Sequence, residues 1–290
     1  MKNTIFILTI SVFVVFYLSS FAGQRSNEAS KPLTVNKVAG TIYEVKGGVC
    51  NTGFIITEKE VIAIDSDMTS ASGKEMINLI KQITDKPINH MILTHSDGDH
   101  VNGLPGWPVD INIISHVNTK KDMERNARRA GLTEYLPDQV FTDRMTLESG
   151  DRKIELLYFG PAHKDGDIVV YFPEEKVAFI GDLIFLDREP LIKTGNNGNS
   201  FGIVNALKSI LNLDAEIFVH GHGDIVGRKE IEQYIKDMEE RQAKIKGLIQ
   251  QGKSITDIKK VLYSSGEPRQ SGKGRRISLV EIIYNEIMAQ

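Results

Sequence analysis

Four side chains able to bind a divalent metal fall within six residues: His95, Asp97, Asp99 and His100, in the segment His-Ser-Asp-Gly-Asp-His. The segment follows an apolar run, residues 88–93, that reads as a buried strand. Imidazoles and carboxylates at a strand's end must be solvated, paired or metal-bound. So dense a cluster points to metal. Alternate residues of a loop leaving a strand can face one ion while their neighbours face another, and Gly98 allows the tight backbone this needs. Imidazole nitrogen and carboxylate oxygen suit borderline divalent ions, and catalytic sites of this kind keep a position open for water.

Three later positions supply the same chemistry. His163 follows the strand-like run 153–159, Asp182 follows the run 177–180, and His222 follows the run 216–219. Each stands where a strand ends and a loop begins, the place where sites assemble on layered α/β folds. A lone His or Asp at a strand end is usually structural. Several independent positions agreeing in type and placement carry the metal reading.

The elements that must hold these residues are legible in the pattern. Runs rich in β-branched residues at 41–45, 53–57, 61–65, 88–93 and 111–115 predict strands. So do 153–159, 167–172, 177–180 and 216–219. Ser72 to Glu75 has the form of a capping box. It opens a helix with Met76, Ile77, Ile80 and Ile83 on one face. Further helices are predicted over 119–130 and 203–211, joined to the preceding strand by a Gly/Asn-rich loop at 194–200. From Lys229 three amphipathic helices follow, the last opened by Ser278 to Glu281. Their apolar stripes must be buried. About 60 residues make a marginal core alone, so the stripes are expected to pack on the α/β body. The domain is predicted over 35–228, with a C-terminal helical extension over 229–290.

The chain has 290 residues, 41% hydrophobic and 25% charged, and a net charge of −3. These are ordinary globular proportions. The charge gives no ground for a nucleic-acid partner, which usually meets a basic face. The short basic cluster Arg269, Lys273, Arg275 and Arg276 reads as a solvated loop. Lys2, an apolar core over 5–18 and Ser20-Phe21-Ala22 form a secretory signal peptide, with cleavage expected after Ala22. The core is short for a membrane span, which needs about 20 apolar residues. Export to a periplasm or beyond the cell is therefore expected, with residues 23–34 as a mobile leader. Cys50 is the only cysteine, so no intramolecular disulfide can form. It is expected to be a buried, inert thiol.

In motif content and order the chain resembles the metallo-β-lactamase-fold hydrolases. Thr94 to His100 matches their T-H-x-H-x-D-H motif, Gly160 to His163 their isolated-histidine motif, and Gly181-Asp182 their bridging aspartate. Gly221-His222-Gly223 matches their closing G-H-G. The likeness covers about residues 38–227 and includes the opening segment 53–65. It implies a four-layer αβ/βα sandwich with two divalent ions at one edge, zinc first, with manganese or iron as alternatives. It places His95, Asp97 and His163 on one ion, Asp99, His100 and His222 on the other, and Asp182 between them. A hydroxide bridging the ions would be the nucleophile, and Asp99 would also orient the attacking water as the catalytic side chain.

Asp97 departs from the pattern, which commonly has His there. It adds a third carboxylate against the two ions and should make the bridging water less acidic. Harder oxygen ligands also shift preference from zinc toward manganese or iron. The expected function is hydrolysis of a small molecule: an ester, lactone, thioester or amide, a β-lactam among them. The alternatives are a non-catalytic metal-binding accessory protein and a metal-dependent phosphodiesterase. No membrane contact is expected once the signal is removed. Of the other histidines, His90 reads as structural, His116 as a turn residue, and His220 as facing away from His222. Trp107 reads as packed or as a pocket wall. The loop 195–199 reads equally as a flap or a connection.

Overall fold

Strands β1 (Thr34–Ala39), β2 (Ile42–Lys46), β3 (Thr52–Ile56) and β4 (Val61–Ile64) form an antiparallel meander. The sheet then continues in parallel through β5 (Ile88–Ile92), β6 (Asn112–His116) and β7 (Gln139–Phe141). Helices α1 (Ser70–Lys81), α2 (Gly98–Val101) and α3 (Val117–Ala130) lie among these strands in the chain. The second sheet has the order β12 (Ile217–Val219), β11 (Val177–Phe179), β10 (Ile168–Phe172), β9 (Arg152–Tyr158), β8 (Arg144–Ser149). Helix α4 (Ser200–Leu211) precedes β12, and α5 (Arg228–Gln250), α6 (Ile255–Leu262) and α7 (Leu279–Met288) follow it. This is a computed structural model, and it describes residues 32–263 and 277–290. The expected signal peptide, most of the leader and the basic cluster at 269–276 lie outside the described residues.

Three apolar cores show the layering. One joins the outer face of the first sheet to α1 and α3, through Met76, Ile80, Met91 and Met123. The second lies between the sheets, where Ile62, Ile92 and Ile114 meet Leu156, Val170 and Phe179. The third packs Leu207, Phe218, Ile231, Ile245 and Ile283 together, so that α4, α5 and α7 cover the second sheet. The result is the four-layer α/β/β/α sandwich, with the C-terminal helices sharing its third core.

The central strands are apolar on both faces, as strands covered on both sides must be; β4 and β10 are buried at every residue. Helix α1 starts three residues earlier than its pattern suggests. Its cap is Thr69, and Ser72 is the return member of the box rather than its start. A hydroxyl at either position can accept from the free amides of a first turn, so the apolar stripe did not fix which one caps. The third C-terminal helix does begin at Ser278, with Glu281 closing the box. Strands β1, β7 and β8 were not predicted. β1 starts at Thr34, within the expected leader, and carries Asn36 and Lys37 on an exposed edge. β8 alternates polar and apolar residues, with Arg144, Thr146 and Glu148 on an exposed face.

Candidate metal centre

All seven ligand candidates lie beyond the C-terminal ends of strands, on one edge of the sandwich. β5 leads into His95, Asp97, Asp99 and His100, β9 into His163, β11 into Asp182, and β12 into His222. They form two groups: His95, Asp97, His163 and Asp182 in one, and Asp99, His100 and His222 in the other, with ligand atoms within 4.8 Å of one another in each. Asp182 lies between the groups. Its Oδ2 is 3.8 Å from His95 Nε2 and 3.4 Å from His222 Nε2, and its Oδ1 is 3.3 Å from His100 Nε2.

The hexapeptide reaches both groups by a route other than alternation in an extended loop. Asp97 is the N-cap of α2, and Asp99 and His100 sit in its single turn. A helical turn rotates successive side chains by about 100°, which sends Asp97 and Asp99 to different groups. Gly98 has no left-handed φ. Its missing Cβ matters instead because it would lie 2.6 Å from Asn102 Nδ2. Gly221 serves the other side of the site, since a Cβ there would come within 2.1 Å of Asp182 Oδ1.

The tautomer of each buried histidine is set by the contact at its Nδ1. His100 Nδ1 donates to Asp65 Oδ2 at 2.8 Å. His95 Nδ1 lies 3.1 Å from Thr94 Oγ1, a hydroxyl that itself donates to Asp65. His163 Nδ1 donates to the Leu191 carbonyl. In all three rings Nε2 faces the shared space. The Nε2 atoms of His95 and His100 and Oδ1 of Asp182 are buried there without a hydrogen-bond partner. Each such orphan costs about 1–3 kcal/mol. Nitrogen and carboxylate oxygen converging on one space fit a divalent ion.

The titration behaviour agrees. Burial and the neighbouring His100 hold His95 well below the usual histidine range. Burial also acts against charge on His222, but hydrogen bonds to Asp182 and Asp99 outweigh it and raise the ring to about 9. For Asp182, the nearby His100 and His222 rings overcome burial and keep the carboxyl far below its ordinary value.

Asp97 is not left as an uncompensated third carboxylate. Lys164, 4% exposed, places Nζ 2.9 Å from Asp97 Oδ1 and 2.5 Å from Asp122 Oδ2. Lys193 places Nζ 2.9 Å from Asp97 Oδ2. Two ammonium groups thus face the third carboxylate. Sequence reasoning did not find Lys164, Lys193, Asp122 or the role of Asp65. The available signal was the extra charge of Asp97, which called for a cation, and Lys164 stands next to His163.

The remaining residues take other roles. His90 pairs with Glu60 at 2.9 Å. His116 caps α3 and stacks on Tyr158, so it is a structural cap rather than a plain turn residue. His220 bonds to the Asp224 carbonyl and lies outside both groups. Trp107 is packed in the first core. Cys50 is buried, its thiol donates to the Asp99 carbonyl at 2.9 Å, and burial pushes it up to about 12. The loop at 194–200 is tied down: Asn196 Nδ2 donates to Asp122, and Asn197 Nδ2 to Asp165. A cleft of about 700 Å³ opens beside His222, lined by Lys46, Val49, Asn51 and Arg188 among others. Phe185 stacks on His222 at 5.5 Å, and Arg188 lies over Phe185.

Comparison with known proteins gives the same picture. The chain is 26% identical over 203 residues to the 2,4-dinitroanisole O-demethylase subunit alpha of Nocardioides sp. (strain JS1661), covering 69% of this chain and 60% of that one. This chain thus spans less than two thirds of that relative. It is 24% identical over 242 residues to the metallo-beta-lactamase type 2 of Bacteroides fragilis, covering 79% and 93%. Among solved structures, a metallo-beta-lactamase from Pontibacter korlensis superposes with a TM-score of 0.62 at 19% identity, covering 71% of this chain and 99% of that one. That likeness is one of fold. The family match runs over residues 45–222, from the second strand to the last histidine of the cluster, and so this chain belongs to the metallo-beta-lactamase superfamily.

Proposed function

We propose that this protein is a metal-dependent hydrolase holding two divalent ions, zinc first, and acting on a small molecule with an ester, lactone, thioester or amide bond. The observation that carries this reading is the convergence of Nε2 of His95 and His100 and Oδ1 of Asp182 on one buried space, where they face one another without a hydrogen bond. Ions held there supply Lewis acidity and lower the pKa of water. The protein's own groups do the rest. Asp65, Thr94 and Leu191 orient the imidazoles, and Lys164 fixes Asp97. Asp99 Oδ2, 3.3 Å from His222 Nε2 and part-exposed, is placed to accept a proton from attacking water. The cleft beside His222 receives the substrate, with Val49 exposed on its rim and Arg188 available to an anionic group.

The signal-like first 22 residues support export, and cell fractionation tests it. The activity test is a screen of the purified chain, with zinc or manganese, against ester, lactone, thioester, cephalosporin and phosphodiester substrates. An activated aryl methyl ether belongs in the screen because of the demethylase relative. His95→Ala and Asp182→Ala should each abolish turnover. A folded, metal-loaded protein inert toward every class would defeat the hydrolase reading.

A further inference from the structure

Of the seven candidate ligands, Asp97 is the one held by ammonium groups among the described residues, and its two partners differ in kind. Lys164 is buried and locked between Asp97, Asp122 and Ser96. Lys193 is part-exposed on the loop before α4, and its ion pair is with Asp97 Oδ2. That oxygen also faces His163 Nε2, at 3.2 Å. It is therefore the oxygen that an ion in the His95–Asp97–His163–Asp182 group would take. An ion and the Lys193 ammonium would claim the same lone pairs and repel each other. In the other group the carboxylate is Asp99, whose contacts are His100 and His222.

We propose that Lys193 is a built-in competitor for the first site, so that the two ions bind in order. This rests on the metal-centre reading above. The Asp99–His100–His222 group fills first and tightly. The group containing Asp97 fills second and more weakly, because Lys193 must leave Oδ2 as the ion arrives. Its backbone N–H donates to the His163 carbonyl at 2.9 Å, so the loop stays anchored while the side chain moves. Lys164 remains on Oδ1 throughout and keeps Oδ2 turned to the site. The second ion is thereby exchangeable, and the loading of the site follows the supply of free metal.

The test is calorimetric titration of the chelated, dialysed full chain with zinc chloride and with manganese chloride at one fixed pH, with native mass spectrometry counting the ions. The wild type should bind two ions, the second at least about tenfold more weakly, within the range seen for groups next to metal ligands. Lys193→Ala should tighten the weaker ion by about tenfold and leave the tighter one within about twofold. Lys193→Arg, which keeps the charge, should leave both in place. Asp97→Ala should remove the weak ion and spare the tight one. One ion in the wild type and two in Lys193→Ala would support the proposal directly. Two ions of equal affinity, a weaker ion unmoved or loosened by Lys193→Ala, or loss of the tight ion in Asp97→Ala would overturn it while leaving the metal centre standing. A folded protein that binds no ion would overturn both.

Discussion

Asp65 Oδ2 lies 2.8 Å from His100 Nδ1, and Asp65 holds a left-handed φ of 57° to put it there. The same carboxylate accepts from the Thr94 amide at 2.8 Å and the Thr94 hydroxyl at 2.7 Å. One residue at the end of β4 thus sets the orientation of His100 directly and of His95 through Thr94. Left-handed backbone is uncommon for residues other than glycine, and such positions gather at functional sites.

Asp65→Asn keeps the size and removes the charge. Its effect should fall on metal affinity, by about 10–100-fold, as for other partners of ligating histidines. Equilibrium dialysis with zinc measures it. An unchanged affinity would mean that Asp65 does not orient the rings.

The Asp122 carboxylate gives a pH prediction. Burial raises it, but hydrogen bonds from Lys164, Ser96 and Arg125 outweigh that and bring it from 3.8 to about 2. The unfolded chain therefore takes up this proton more readily than the folded one. The contribution is full above the ordinary value and is lost as pH falls from about 4 to about 2. Asp122→Asn should be less stable at neutral pH by about 3 kcal/mol, since Lys164 loses a buried partner. It should also lose less stability across that acid window. Urea unfolding at pH 7, 4 and 3 reads both effects.

Chelation should destabilise the fold. An ion present at about a hundredfold its dissociation constant stabilises the native state by about 2.7 kcal/mol. Thermal melts with and without chelator should differ accordingly, and added zinc should restore the difference. Coincident melts would remove the case for a resident ion.

The C-terminal helices should unfold with the body. Ile283 is fully buried in the core shared by α7 and the second sheet. Ile283→Ala should cost about 2–5 kcal/mol and lower the midpoint of one transition seen by circular dichroism and by Trp107 fluorescence. A separate early melt of helix signal alone would mark the extension as independent.

The candidate site was more legible in the sequence than the fold around it. The seven ligand positions are His and Asp at strand ends, and residue type and position are what a sequence displays directly. The geometry now brings all seven to one edge. The covered strands were also legible, because β4 and β10 are continuous apolar runs. β1, β7 and β8 were not, since short or exposed strands lack the continuous apolar run that marks their neighbours. The supporting groups escaped notice for a different reason. Lys164 and Asp122 are 42 residues apart, and Lys164 and Asp97 are 67 apart. Their meaning lies in a contact that only the folded chain makes.

The two ligand groups each draw on both halves of the chain. His95 and Asp97 from the first sheet meet His163 and Asp182 from the second, and Asp99 and His100 meet His222. An ion held by either group would act as a clasp across the open end of the seam between the half-chains, so that its loss would loosen that rim, with its loops, before the strands behind them.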